Sequence, residues 1–281
     1  MLRHLLQGYL AVGETVDGLI SDSDADWRAE RQARLAAANV IDALAPTNFP
    51  WSNPEVIKET INTGGENLVR GARQLAHDIA TPPRLPATVD TGKFEVGRNL
   101  AISPGSVVLR TDVFDLIQYK PATEKVREVP LLFVPPTINK FYVLDISPGR
   151  SMIEHYVGQG QQVFAISWRN PEQAQGHFDL DTYANTVAQA CDAAASITEQ
   201  SKVHLAAACS GGIVTAGLLG QLAAGGELDE IASLTLMVCA LDNDIEGTMS
   251  ALATRDVAAA AVAESARKGY LDGHALQGVF T

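Results

Sequence analysis

The fold of this chain is decided by the stretch Val203-His204-Leu205-Ala206-Ala207-Ala208-Cys209-Ser210-Gly211-Gly212-Ile213. An apolar run ends at a cysteine, small residues follow directly, and apolar residues at helical spacing come next. This order predicts a buried strand, a sharp turn and a helix. It is the layout of a nucleophile elbow, in which the usual Gly-x-Ser-x-Gly is relaxed to Ala207-x-Cys209-x-Gly211.

The small side chains around Cys209 have a physical reason. The nucleophile of an elbow occupies a strained backbone conformation, and the positions two before and two after it nearly touch. Ala207, Gly211 and Gly212 are therefore the predicted elbow residues. The N-terminus of the next helix favours a thiolate and an oxyanion, because its first amides are unpaired and its dipole is positive there. Cys209 is thus the predicted nucleophile, and the N–H of Ser210 is a predicted oxyanion donor.

Composition narrows the class of protein. The chain has 281 residues, of which 46% are hydrophobic. Its formal net charge is −12, and its Lys and Arg residues are not clustered. This charge distribution argues against nucleic acid as a partner. Its three cysteines, Cys191, Cys209 and Cys239, fit neither a disulfide framework nor a zinc site, so we expect no metal and a reducing cytosol. From the residues at its start we expect no signal peptide, and we find no apolar run in the given sequence long enough to span a membrane.

Two segments of different character follow one another along the chain. Residues 1–86 form a predicted helical segment, with helices at 3–20, 27–43 and 53–79. Residues 94–281 alternate strands and helices, which predicts a mostly parallel α/β sheet. The expected strands are residues 106–110, 114–119, 129–134, 162–168, 203–208 and 234–241. An antiparallel pair followed by parallel strands and a cysteine elbow predicts an incomplete α/β-hydrolase fold after the helical segment.

Several motifs together resemble one family, the polyhydroxyalkanoate synthases, which polymerise the polyesters of bacterial storage granules. The motifs are Phe94-Glu95-Val96-Gly97-Arg98-Asn99-Leu100-Ala101, Val134-Pro135-Pro136-Thr137-Ile138-Asn139-Lys140-Phe141-Tyr142, Ser167-Trp168-Arg169-Asn170-Pro171 and Ala208-Cys209-Ser210-Gly211-Gly212. The resemblance extends over most of the chain from about residue 6. Ala207 departs from the family pattern, which usually has glycine at that position.

The resemblance implies a reaction and a set of partners. The Cys209 thiolate would take the acyl group of a 3-hydroxyacyl-CoA and release CoA, and the 3-hydroxyl of a second unit would then attack the thioester. The substrate is a CoA thioester, and no cofactor is expected. The second oxyanion N–H would come from Thr137 or Ile138, in the turn after the third strand. Lys140 and Arg169 are candidates for contact with the CoA phosphates, although surface or intramolecular pairing is an equal alternative. A synthase dimer and the granule surface are the expected partners, in the cytoplasm.

The acid and the base of this fold follow the nucleophile, normally after the seventh and eighth strands. After Cys209 the sequence contains one histidine, His274, in a segment of helical or cap character. Asp242 is the candidate acid, with a solvated loop residue as the alternative. His204 lies five residues before Cys209 on the same strand, roughly 16 Å away at 3.3 Å per residue. We therefore interpret the chain as the N-terminal part of a synthase, without its base.

Two alternatives from other classes remain open. The first is an esterase or depolymerase, which would normally carry serine in the elbow and a complete triad. The second is a non-catalytic, truncated protein that binds granules or a full-length synthase through its helical segment. Cys191 and Cys239 are expected to be core residues, Cys191 on a helix face and Cys239 inside the last strand.

The sequence also predicts the activity of the isolated chain. Because no base is identified for the thiol and the hydroxyl, the 281-residue chain alone should not polymerise 3-hydroxyacyl-CoA at a useful rate. Polymer yield and CoA release measured over many equivalents of substrate test this expectation, and sustained turnover would contradict it.

Overall fold

The computed structural model describes residues 2–82, 84, 86, 89–138, 140–242 and 244–271. Two compact units make up the chain. One contains residues 1–90 and 242–262, and the other contains residues 91–241 and 263–281. The predicted domain ranges, 1–86 and 94–281, stay a prediction, but these units group residues 242–262 with the N-terminal helices.

The first unit is helical. Its helices are α1 (Leu2–Ser21), α2 (Trp27–Ala43), α3 (Pro54–Asn62), α4 (Glu66–Ala80) and α8 (Thr248–Leu252). Asp26 caps α2 by accepting hydrogen bonds from the amides of Arg28 and Ala29. The single helix predicted over 53–79 is wrong, because Gly64 and Gly65 adopt φ values of 61° and 91° and break it into α3 and α4.

The short helix α8 packs against α2 within the same unit. Gln32 donates from Nε2 to the carbonyl of Ala251 at 2.7 Å, and Ala251 is 1% exposed. Arg28 pairs with Asp244 at 2.8 Å, and Arg31 pairs with Glu246 at 3.2 Å. The ion pairs are made by exposed side chains and contribute little to stability. The packing of α8 against α2 therefore comes from the buried Ala251.

The second unit is built on a six-stranded sheet of the described residues. Its strands are β1 (Gly105–Arg110), β2 (Phe114–Tyr119), β3 (Leu131–Val134), β6 (Val163–Trp168), β7 (Val203–Ala208) and β8 (Ile231–Met237). The order in the sheet is β1-β2-β6-β3-β7-β8. β2 runs antiparallel to β1 and β6, whereas β6, β3, β7 and β8 are parallel. This is the strand arrangement of the α/β-hydrolase fold, so the predicted fold class is confirmed.

Helices cover both faces of the sheet. They are α5 (Met152–Gly158), α6 (Leu180–Thr198) and α7 (Ser210–Gly225). The later helix α9 (Arg255–Lys268) has its residues 255–262 in the helical unit. The strand β3 is buried at all its positions, and its side chains alternate between two hydrophobic clusters. Leu132 and Val134 face the cluster with α6 and α7, and Leu131 and Phe133 face the cluster with α5. A strand buried on both faces explains why its sequence is a continuous apolar run.

A two-stranded hairpin, β4 (Asp145–Ser147) and β5 (Arg150–Ser151), directly precedes α5. Gly149 turns this hairpin with a φ of 71°. The side chain of Asp145 is fully buried, and it accepts hydrogen bonds from the amide and hydroxyl of Ser103 (2.9 and 2.8 Å) and the hydroxyl of Ser151 (2.6 Å). One carboxylate therefore ties the chain before β1 to the segment that follows β3.

The hydroxyl of Tyr119 is buried near this carboxylate and has no hydrogen-bond partner within the described part of the chain. Burial, and then the charge of Asp145, raises the pKa of Tyr119. The phenol therefore stays neutral.

We expect Asp145→Asn to lower the free energy of unfolding by about 2 kcal/mol or more, because an amide cannot accept from three donors without leaving one unpaired. Asp115→Asn is the matched control. Asp115 pairs with exposed Arg110 at 2.8 Å, and its loss should cost less than about 1 kcal/mol. Urea unfolding of the two variants measures the difference, and equal losses would contradict the role assigned to Asp145.

Candidate active site

Cys209 lies between β7 and α7, as the sequence predicts for an elbow. Its backbone has φ 50° and ψ −124°, a conformation that L-residues rarely adopt. The Cys209 amide donates to the carbonyl of Met237 at 3.0 Å, and its carbonyl accepts from the amide of Ile213 at 3.1 Å. Such a strained residue persists only where its surroundings fix it. The side chain is half-buried, so the thiol is within reach of a ligand.

Gly211 is where α7 approaches the end of β3 most closely. A Cβ on Gly211 would lie 2.7 Å from the carbonyl oxygen of Val134 and still closer to that of Pro135. Both contacts are with backbone, which cannot move aside as a side chain can. The crowding around Gly211 therefore comes from the strand next to β7. The elbow pattern predicts crowding at Ala207, two residues before Cys209, and the side chain of Ala207 is fully buried.

Gly212 is crowded by a different neighbour. A Cβ there would overlap the Sγ of Cys239 and lie 3.3 Å from Leu236 Cδ2 and 3.5 Å from the Ala207 carbonyl. The sequence placed Cys239 inside the last strand, which is wrong, because β8 ends at Met237 and Cys239 follows it. The thiol of Cys239 lies beneath the elbow instead.

The turn after β3 faces the first residue of α7. The amide of Thr137 donates to Ser210 Oγ at 2.9 Å, and the two hydroxyl oxygens are 3.0 Å apart. The indole Nε1 of Trp168 donates to the carbonyl of Pro135 at 2.8 Å, in a buried position. Thr137 and Ser210 are thus brought together as the sequence predicts, and Trp168, which the sequence argument gave no role, anchors the turn from the side of β6.

The hydroxyl of Ser210 is a second feature that the sequence motifs do not predict. Its oxygen accepts a hydrogen bond from the Thr137 amide, which we predicted to be an oxyanion donor. An oxyanion bound by the Thr137 amide would therefore have to replace the Ser210 hydroxyl oxygen as its acceptor. The amide of Ser210 is the first in α7 and has no acceptor within the helix. Ile138, the alternative donor, is exposed in the same turn.

The candidate acid and base are less well defined than the candidate nucleophile, Cys209. Asp242 is exposed, belongs to the helical unit and accepts from the amide of Asp244 at 2.8 Å, so its role as an acid stays a prediction. His274 lies outside the described residues. His204 forms a hydrogen bond through Nδ1 to Ser233 Oγ at 2.7 Å, near the start of β7. Lys140 and Arg169 are exposed, and their contact with CoA phosphates also stays a prediction.

Cys191 differs from Cys209 in its environment. It is 8% exposed on α6, and burial, followed by the charges of Asp192 and Glu230, raises its pKa to about 12. A thiol that stays protonated is a poor nucleophile. All three cysteines are free, and no group of His, Cys, Asp or Glu within the described ranges could hold a metal ion.

Gly211→Ala should lower the free energy of unfolding by about 1–3 kcal/mol, because the new methyl group meets the carbonyls of Val134 and Pro135. Gly217→Ala, on the same helix, has no atom within 4 Å of the new Cβ and should raise stability by up to about 1 kcal/mol. Thermal or urea unfolding separates the two. Equal effects would show that α7 does not approach β3 as described.

Comparison with known proteins places these features in a family. Residues 1–156 match the family model described as the N-terminus of poly-beta-hydroxybutyrate polymerase (PhaC). Poly(3-hydroxyalkanoate) polymerase 1 of Ectopseudomonas oleovorans is 40% identical over 280 residues, which cover 100% of this chain and 50% of that protein. The polymerase subunit PhaC of Cupriavidus necator is 40% identical over 235 residues, which cover 83% of this chain and 39% of that protein.

Among solved structures, brefeldin A esterase, a bacterial homologue of human hormone-sensitive lipase, matches with a TM-score of 0.35 and 18% identity, covering 47% of this chain and 38% of the esterase. Within the described residues, no helix is long and apolar enough to cross a membrane. The chain spans about half the length of the curated relatives it matches. By its family model and its relatives, the chain belongs to the polyhydroxyalkanoate synthase (polymerase) family.

Proposed function

We propose that this chain carries the nucleophile of a polyhydroxyalkanoate polymerase. Cys209 attacks the thioester of a 3-hydroxyacyl-CoA, its sulfur forms a new thioester, and CoA leaves as the thiol with the proton. The 3-hydroxyl of a second unit then attacks, which forms an ester bond and regenerates the Cys209 thiol. The observation that carries the proposal is the strained backbone of Cys209 at the start of α7.

Two features of the site support this chemistry. Exchange of an acyl group between two thiols changes the free energy little, and the resulting thioester remains reactive toward an alcohol. The N–H groups of Ser210 and Thr137 are the proposed oxyanion donors, with the acyl oxygen replacing Ser210 Oγ as acceptor of the Thr137 amide. A histidine base and an orienting carboxylate complete the mechanism in this fold. Asp242 remains the candidate acid, and we assign the base to no described residue. No cofactor enters the proposed reaction.

The proposal extends to the partners of the helical unit. The helix α4 has an apolar face whose members Leu68, Leu75 and Ile79 are all more than 40% exposed. A granule surface in the cytoplasm, or a second polymerase chain, is the proposed partner of this helical unit. The same apolar face also fits the alternative of a non-catalytic binding protein. The test of function must therefore detect whether Cys209 itself becomes acylated.

Incubation with a 3-hydroxyacyl-CoA should add one acyl group to the chain, located at Cys209 by peptide mass spectrometry and removed by hydroxylamine, because a thioester is labile to that nucleophile. Cys209→Ala should abolish the adduct. Cys191→Ala should retain it, since the Cys191 thiol is buried and protonated.

An adduct on another residue, or none while Cys209 remains open to alkylation, would contradict the proposed chemistry. Recovery of the chain on isolated granules without acyl-Cys209 would favour the binding protein instead.

A further inference from the structure

The thiol of Cys239 faces the backbone of the elbow. Its Sγ is 3.3 Å from the carbonyl oxygen of Met237, 3.4 Å from that of Cys209 and 4.0 Å from that of Ala207. The S–H is a weak hydrogen-bond donor, and carbonyl oxygens surround it. The side chain is half-buried, and its single S–H is shared among these oxygens. The Cys209 carbonyl, which also accepts from the amide of Ile213, is one of the two nearest.

Strain is present on both sides of this contact. Cys209 has a φ of 50°, and Val238, the neighbour of Cys239, has a φ of 48°. Positive φ is a genuine outlier for a β-branched residue such as valine. The turn Met237–Cys239 nevertheless contacts both polar groups of the Cys209 backbone, since Met237 accepts the Cys209 amide at 3.0 Å and the Cys239 thiol lies 3.4 Å from the Cys209 carbonyl oxygen. The residues on either side of the strained Val238 therefore both contact the strained Cys209 backbone.

Packing joins the same thiol to α7. The Sγ of Cys239 occupies the space that a Cβ on Gly212 would need. Glycine at this position therefore lets the thiol lie between the end of β8 and the first turn of α7. A displaced Cys239 would leave the Cys209 carbonyl without its second donor and would leave a gap below the elbow.

We infer that Cys239 is a positioning residue for the nucleophile: its thiol holds the Cys209 backbone in the conformation that presents the Cys209 sulfur at the N-terminus of α7. The inference rests on the proposed function, in which Cys209 is the nucleophile. It assigns Cys239 no contact with substrate.

The test compares the alkylation rate of Cys209 by iodoacetamide, resolved by peptide mass spectrometry, at one fixed pH in the 281-residue chain. Cys239→Ala should slow Cys209 alkylation by about two- to fivefold, in line with the loss of one weak hydrogen bond. Cys239→Ser keeps a donor and should recover most of the rate. Near-ultraviolet circular dichroism establishes that each variant is folded at the temperature used.

Cys191→Ala is the control for the loss of a thiol from this unit. Cys191 lies near Val203, at the opposite end of β7 from Cys209, so its loss should leave the alkylation rate of Cys209 unchanged. An unchanged alkylation rate in Cys239→Ala, or a serine variant as slow as the alanine variant, would overturn the inference. Neither result depends on acyl transfer. If Cys239→Ala slows alkylation while wild type forms no acyl-Cys209, the inference stands and the proposed function fails.

A double-variant comparison tests the contact with Gly212. Gly212→Ala should slow Cys209 alkylation strongly in the wild-type background, because the new methyl group displaces the Cys239 thiol. In the Cys239→Ala background the same change should have little further effect, since the sulfur is already absent. Additive effects of the two changes would show that Cys239 and Gly212 do not share this space, and would overturn the inference.

Discussion

The close approach of helix α7 to the end of strand β3 is the constraint on which the rest of the site depends. Gly211 lies so near the carbonyls of Val134 and Pro135 that no larger residue fits without a shift of backbone. Because α7 must begin at this point, the chain between β7 and α7 has room for one residue, Cys209, in a strained conformation. The same approach brings Ser210 to the amide of Thr137.

Polar groups outside the elbow hold the segments on either side of this close approach in place. The indole of Trp168 binds the carbonyl of Pro135, so β6 fixes the turn after β3 from one side. Asp145 fixes the segment that follows this turn, through donors from Ser103 and Ser151. These groups are buried, and a buried hydrogen bond that loses a partner costs more than one at the surface. The site is therefore supported by residues that do not contact the thiol.

Periodicity and capping predicted much of this fold. The bounds of α2 agree with the prediction of 27–43, and those of β7 with 203–208, because an N-cap and an unbroken apolar run mark their ends. The break at Gly64 and the hairpin at Gly149 were missed, since glycine tolerates a helix as well as a turn and only the backbone conformation distinguishes them. The bounds of β8 were shifted by three residues at its start and four at its end, because apolar residues continue past Met237.

Less of the site than of the fold could be predicted from sequence. The elbow motif indicated Cys209 and the small residues around it, because their spacing is local. The partners of the elbow come from other strands: Thr137 from the end of β3, and Cys239 from beyond β8. Thr137 was found through the family motif around it, whereas Cys239 carries no motif. Its position below Gly212 depends on where β8 ends, which periodicity does not determine.

We propose that the Cys209 backbone directs its sulfur, and any acyl group on it, toward the amides of Ser210 and Thr137. A crystal structure of the chain acylated at Cys209 tests this proposal. The expected result is a positive φ at Cys209 near its present 50°, with the acyl oxygen within hydrogen-bond distance of both amides and Ser210 Oγ displaced from Thr137. An acyl oxygen that points away from both amides, or a Cys209 with an ordinary extended or helical backbone, would contradict the account.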